Sequence, residues 1–356
     1  MLYNIPNPHG GEVYSKAVEI DFSANINPLG TPEAVKEAVR DSLPLLSQYP
    51  DPYCRALVGA IAEFEGVPAE RVLCGNGAAE LIFSLCAALG PKRALLPVPS
   101  FSEYRTALEA AGCETEFYFM EQSEDFALTE RFLPVLEGFG GDMLLLCNPN
   151  NPTGQVIDPV LLEEIRDICA RKGIFLFIDE CFLDLTQGGE GLSLARRLRD
   201  GERTLLLKAF TKSYGMAGIR LGYCLCADST LLRRMASASQ PWNVSSLAQS
   251  AGVAALAEQD FLQRTLTLVR KERHWLTDNL TALGFWVCPS QANYLLFRGP
   301  RGLREGLLRR GIAIRGCGNY SGLDDGWYRI AVRPHEENEA LITAIRQFCE
   351  EKSLWQ

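Results

Sequence analysis

Histidine is scarce in this chain: its 356 residues hold three, His9, His274 and His335, far apart and in no recognisable ligand motif. No metal is expected. An excess of basic charge is also missing: 35 Lys plus Arg stand against 44 Asp plus Glu, a formal charge of −9, so there is no footprint for nucleic acid or an anionic membrane. Arg298, Arg301, Arg304, Arg309, Arg310 and Arg315 make one locally basic stretch, which a small anionic ligand suffices to explain. The longest apolar runs, such as 85–89 and 143–147, fall far short of the ~20 residues of a membrane-spanning helix. Residues 1–11 lack the basic-then-apolar order of a secretory signal, so cytoplasm is the expected location. CxxC spacing is absent among the twelve cysteines. They are scattered, and Cys147, Cys224 and Cys226 replace small apolar residues inside strand-like runs, so reduced core thiols are expected.

What is present is an ordinary globular composition, 47% hydrophobic and 22% charged, with length for roughly two or three domains. From about residue 78 to 226, helical periodicity alternates with continuous apolar runs at 94–98, 116–119, 143–147, 174–178, 204–207 and 222–226. Runs without polar alternation read as strands buried on both faces. Segments such as 101–111 and 159–171 are long enough to be crossover helices. The expectation is an α/β domain built on a mainly parallel sheet. The flanks differ. Thr31-Pro32-Glu33 reads as a helix N-terminus with Ala34, Val35, Ala38 and Val39 on its apolar face. After Pro241 comes a helix-rich stretch, with a long helix near 262–283, then strand-like segments at 293–297 and 327–332. We expect a large domain over 43–243 and a smaller α+β domain assembled from 1–42 and 244–356.

In open α/β sheets, ligands sit beyond the carboxyl ends of the strands. Cys74-Gly75-Asn76-Gly77-Ala78-Ala79-Glu80 opens a helix whose first N–H groups are suited to a phosphate. It is neither a Walker loop nor GxGxxG, which speaks against a nicotinamide-dependent dehydrogenase. Asn148-Pro149-Asn150-Asn151-Pro152-Thr153-Gly154 follows an apolar run, its prolines holding the intervening asparagines extended. Asp179 and Glu180 end another run, where a carboxylate needs a cationic or hydrogen-bonding partner. Lys212 lies just past a third, in Thr211-Lys212-Ser213-Tyr214-Gly215-Met216-Ala217-Gly218-Ile219-Arg220, a glycine-rich loop with an arginine eight positions on.

As an ordered set, running from about His9 to Arg333, these motifs resemble fold-type I pyridoxal phosphate (PLP) enzymes of the class I/II aminotransferase superfamily. The resemblance is to the branch holding histidinol-phosphate aminotransferases and threonine-phosphate decarboxylases. It implies the PLP-dependent transferase fold, aspartate aminotransferase-like, with PLP as cofactor. By the same resemblance Lys212 joins the cofactor aldehyde as a Schiff base and shuttles protons, and Asp179 pairs with the protonated pyridine nitrogen. Asn151 donates to the phenolic oxygen, and Phe101 stacks on the ring. The phosphate falls to the N–H groups of Gly77, Ala78 and Ala79, to Thr211 and to the fork of Arg220. Tyr49 in Tyr49-Pro50-Asp51 resembles a tyrosine that reaches the phosphate across a subunit interface, which implies a homodimer with a shared active site. Arg329 matches the arginine that grips the substrate α-carboxylate. Arg315 and Arg333 are then candidates for a second substrate anion, for which phosphate fits well.

All PLP chemistry on amino acids breaks the Cα bond held perpendicular to the ring, so arginine placement selects between transamination and loss of CO₂. His9-Gly10-Gly11, the segment from Asp21 to Gly30, and Phe182 in Asp179-Glu180-Cys181-Phe182 look like the decarboxylases, whereas the aminotransferases usually carry Tyr at the last position. Glu12 departs from that pattern, which generally has Asn there. The leading expectation is decarboxylation of L-threonine O-3-phosphate. The alternatives are a histidinol-phosphate or related amino-acid aminotransferase, and a binding protein that keeps the fold without turnover.

Overall fold

The computed structural model describes residues 9–11, 13, 14 and 17–352; Glu12 lies outside them. After a short strand at Ile20–Asp21 (β1), the chain builds seven strands of one sheet. They are Val72–Gly75 (β2), Arg93–Val98 (β3), Glu114–Phe119 (β4), Met143–Cys147 (β5), Phe175–Asp179 (β6), Thr204–Ala209 (β7) and Gly222–Cys226 (β8). Their order is β2-β8-β7-β6-β5-β3-β4. Neighbours from β4 to β7 pair in parallel, and β8 runs antiparallel to both β7 and β2.

Every residue of β5, β6, β7 and β8 is buried, as expected of unbroken apolar runs. Side chains alternate between two cores: Leu144, Leu146, Leu176, Ile178 and Leu206 face one, and Met143, Leu145, Phe175, Phe177, Leu205 and Leu207 the other. The run at 116–119 is a correction, because β4 is the edge strand and is only half-buried. The helix Pro159–Lys172 is a crossover, begun by Asp158, whose carboxylate accepts from the N–H groups of Val160 (2.8 Å) and Leu161 (3.2 Å). The helix expected at Thr31 begins at Glu33, but Thr31 does not cap it; its hydroxyl donates to Gly215 O at 2.8 Å. All twelve cysteines are free and buried. Among the described residues no helix is long and apolar enough to cross a membrane.

A second unit contains Trp286–Val287 (β9), Tyr294–Arg298 (β10), Ile312–Ala313 (β11), Arg315–Gly316 (β12) and Trp327–Ala331 (β13). Antiparallel pairing gives the order β12-β13-β10-β9, while β11 pairs in parallel with β1. Its core holds Phe22, Leu276, Phe297, Ile330 and Phe348. The helix Glu33–Asp41 packs instead on Ser246–Ala257, and Val35, Ala248, Ala251 and Ala255 lie in a core of the large sheet. We therefore propose that both helices belong with the large unit, moving its limits outward from 43 and 243.

Beside the strand ends lies a buried ion cluster that the sequence reading did not single out. Lys208 on β7 places Nζ 2.8 Å from Glu65 Oε1 and 3.8 Å from both Glu180 Oε2 and Asp184 Oδ1. The Tyr223 hydroxyl donates to Glu65 at 2.5 Å, and Ser193 Oγ to Glu180 at 2.6 Å. Burial raises the pKa of Glu180, and Lys208 opposes that rise. The three carboxylates in turn hold Lys208 above the ordinary lysine range against its own desolvation. Removing the cation leaves buried acids uncompensated. Lys208→Met is expected to destabilise the fold by about 3–5 kcal/mol in urea unfolding at neutral pH. A change within experimental error contradicts the pairing.

Candidate active site

Parallel pairing of β5, β6 and β7 brings their carboxyl ends together, and the loops beyond them carry the residues singled out from sequence. Lys212 sits in the single turn Phe210–Ser213 directly after β7. Its backbone is clamped: Asn27 N donates to Lys212 O at 3.2 Å, and Asn27 Nδ2 to Ser213 O at 2.7 Å and Thr265 Oγ1 at 2.9 Å. Ser213 Oγ donates to Asp184 at 3.0 Å. The amine itself has no hydrogen bond or ion pair among the described residues and lies 5.7 Å from the centre of the Phe182 ring. Burial, then the positive charges of Arg329 and Arg220, push its pKa down to about 8, against the opposing pull of Cys181 and Asp179.

Asp179 ends β6, buried, and accepts from the Tyr104 hydroxyl at 2.6 Å and from Cys181 N at 2.9 Å. Burial raises its pKa, and these donors pull it back. Phe101 meets Tyr104 edge-on at 5.5 Å, so the expected ring-stacking residue and the Asp179 donor form one wall. Tyr104 lies three positions past Phe101, in the helix Glu103–Ala110.

The end expected to hold the phosphate is built from glycine. Gly77, at φ +84, precedes the helix Ala78–Leu89, whose first N–H groups receive no side-chain cap. A Cβ on Gly77 would lie 2.8 Å from Arg220 Nη2, and one on Gly222 would lie 2.5 Å from Ala78 N. The start of the helix, the start of β8 and the guanidinium thus form a cradle that no side chain fills. Thr211 is buried next to Lys212. Glu80, in the first helical turn, is turned away to the Asn76 N–H and Asn243 Nδ2.

Arg329 on β13 is buried, 6% exposed. Its Nη1 donates to Asn151 Oδ1 and to the Tyr320 hydroxyl, its Nη2 donates to Ser23 O at 2.9 Å, and its buried Nε has no partner among the described residues. An orphaned buried donor in a native site calls for an acceptor from outside. Arg315 is the register partner of Arg329 across β12 and β13, is 8% exposed, donates to Asn319 Oδ1 at 2.7 Å and lies over the Tyr320 ring. Sequence reasoning missed Tyr320, for which no local signal exists.

Three expected residues stand apart from this group. Arg333, expected as a candidate for a second substrate anion, has its Nε held by Glu337 at 2.7 Å, an i,i+4 ion pair at the start of the C-terminal helix. His9 Nε2 lies 3.0 Å from Glu103 Oε1, its ring 6.1 Å from Phe101, so it borders the Phe101 wall. Tyr49 is 79% exposed and stacks on Trp242 at 4.5 Å.

A half-buried free lysine, a buried carboxylate with two donors, an uncapped helix start with an arginine, and an orphaned guanidinium N–H together fit PLP and an amino-acid carboxylate. The family model for aminotransferase class I and II matches residues 17–345, and the chain belongs to that family. It is a PLP-dependent enzyme with the aspartate aminotransferase-like fold expected from its motifs. It is 39% identical over 357 residues to threonine-phosphate decarboxylase of Salmonella typhimurium, covering 97% of each chain. To histidinol-phosphate aminotransferase of a Geobacillus species it is 32% identical over 343 residues, 94% of this chain and 91% of that one. The crystal structure of histidinol-phosphate aminotransferase from Clostridium acetobutylicum superposes with a TM-score of 0.86 at 27% identity, covering 93% of this chain and 99% of that one.

The depressed lysine gives a signed expectation. Only the neutral amine attacks an aldehyde, so PLP uptake by the apoprotein should accelerate as pH rises through about 8 and level off above it. Arg329→Gln removes a neighbouring positive charge and should move that midpoint upward. Stopped-flow absorbance across pH checks both. A wild-type midpoint near the free-lysine value, about 10.4, contradicts the burial argument.

Proposed function

We propose that the chain decarboxylates L-threonine O-3-phosphate to (R)-1-amino-2-propanol O-phosphate, the side-chain precursor of cobalamin biosynthesis. The observation that carries this reading is the register pairing of two buried arginines, Arg315 and Arg329, on adjacent strands. Two guanidinium groups on one sheet face suit a small substrate with two anionic groups. The similarity to threonine-phosphate decarboxylase over nearly the whole chain supports it.

Bound PLP supplies an electron sink for the bond broken at the substrate Cα. The chain's own residues do the rest. Asp179, held by Tyr104 and Cys181, would face the ring nitrogen and favour its protonated form. Arg220, the N–H groups of Ala78 and Ala79, and the Thr211 hydroxyl would anchor the phosphate, while Phe101 and Asn151 would orient the ring. Lys212, with a pKa of about 8, can both hold and release a proton at Nζ near neutral pH. Arg329 offers Nε to the α-carboxylate, and Arg315 takes the substrate phosphate. Fixing both anions would restrict how the substrate turns in the cleft and so set which Cα bond is presented for cleavage. Phe182, packed edge-on against Tyr294 at 4.9 Å, contributes no hydroxyl.

The site is proposed to be shared in a homodimer. Tyr49 and Trp242 form an exposed aromatic stack, and Leu46 and Tyr53 are also largely exposed. Mixing inactive Lys212→Ala and Tyr49→Ala subunits should restore activity in hybrids carrying one intact site. Failure to regain activity in verified hybrids contradicts a shared site.

Product analysis tests the reaction itself. Holoenzyme given threonine phosphate should release CO₂ and the amino alcohol phosphate without consuming 2-oxoglutarate, and Arg329→Lys should lower kcat/KM about a hundredfold. Formation of a keto acid without CO₂, with 2-oxoglutarate consumed, would establish the aminotransferase instead.

A further inference from the structure

The basic stretch noted in the sequence is only partly neutralised in the fold. Arg298 approaches Asp324 at 3.7 Å, and Arg310 pairs with Glu351. Arg301 and Arg304 do not follow: among the described residues neither guanidinium has a hydrogen bond or ion pair. Both line a cavity of about 450 Å³ at the β12 edge of the small sheet, and Arg315 forms its third basic wall. Glycine makes the convergence possible. A Cβ on Gly316 would lie 3.2 Å from Arg304 Cδ, so the bare backbone next to Arg315 lets the Arg304 stem lie against β12. Two acids, Glu305 and Asp325, also line the cavity, leaving three positive charges against two. Asp325 is set against Gly318, where a Cβ would lie 2.2 Å from its Oδ1.

We propose that this cavity is a second anion site that takes a phosphate dianion and shares Arg315 with the catalytic cleft. Arg315 is the hinge of the argument, because it is nearly buried, oriented by Asn319, and reaches both the cavity and the Tyr320 ring that abuts Arg329. Arg301 and Arg304 are exposed and desolvate little, so they suit capture rather than tight retention. The dianion has two possible sources, the phosphate group of an incoming substrate and free inorganic phosphate. Only the first rests on the decarboxylase reading.

The experiment uses the PLP-loaded enzyme, so that the cofactor's own phosphate cradle is filled. Inorganic phosphate binding is followed by calorimetry in wild type and in Arg301→Ala/Arg304→Ala, and steady-state kinetics are run with threonine phosphate. The double variant should bind phosphate about tenfold more weakly. If the cavity receives substrate, KM rises with kcat unchanged and the salt dependence of kcat/KM flattens. If it receives free phosphate, KM is unchanged and inhibition by phosphate is relieved. Undetectable phosphate binding by wild type overturns the proposal, as does binding equal in wild type and double variant but lost in Arg315→Ala. The calorimetry stands even if threonine phosphate proves not to be the substrate.

Discussion

Two lysines four residues apart are driven in opposite directions by their surroundings, and the site depends on that separation. Lys208, inside β7, is wrapped by Glu65, Glu180 and Asp184 and held protonated. Lys212, one turn past the strand, is desolvated with arginines as its dominant charged neighbours and brought down to about 8. The carboxylates that neutralise one are withheld from the other. Glu180 follows Asp179 directly, yet Glu180 accepts from Ser193 and Leu194 N, whereas Asp179 accepts from Tyr104 and Cys181. Adjacent acids thus face a structural ion cluster and the proposed cofactor site.

The fold makes this separation by alternation. Successive residues at a strand end point to opposite faces, so a single residue's step carries a side chain from the ion cluster to the cleft. Backbone clamps preserve the geometry while leaving the reactive atoms free: Asn27 holds the carbonyls of Lys212 and Ser213 without touching Nζ. Arg329 follows the same logic, with Asn151, Tyr320 and Ser23 fixing its two terminal nitrogens while Nε has no partner among the described residues. Preorganisation of this kind lets a small ligand be oriented without reorganising the protein around it.

Much of this was legible in the sequence. Unbroken apolar runs at 143–147, 204–207 and 222–226 mark strands because both faces are buried, and Asp179, Asn151 and Lys212 stand out as polar residues where such runs stop. What stayed hidden has physical reasons. β2 is four residues long, too short for a pattern. β4 carries two glutamates and a threonine that β3 lacks, but its place at the edge is a fact of strand order. Glu65 and Lys208 are 143 residues apart, so nothing local announces their pairing. Arg333 is the converse case. Its partner Glu337 lies only four positions on, a local relation that spacing alone can suggest.

The central claim is that Lys212, and not the more deeply buried Lys208, is the amine joined to the cofactor. Borohydride reduction of the PLP-loaded enzyme, followed by peptide mass spectrometry, tests it directly. The account predicts one pyridoxyl adduct per chain, on Lys212, and none in a Lys212→Ala variant. An adduct on Lys208, or none on the peptide bearing Lys212, contradicts it.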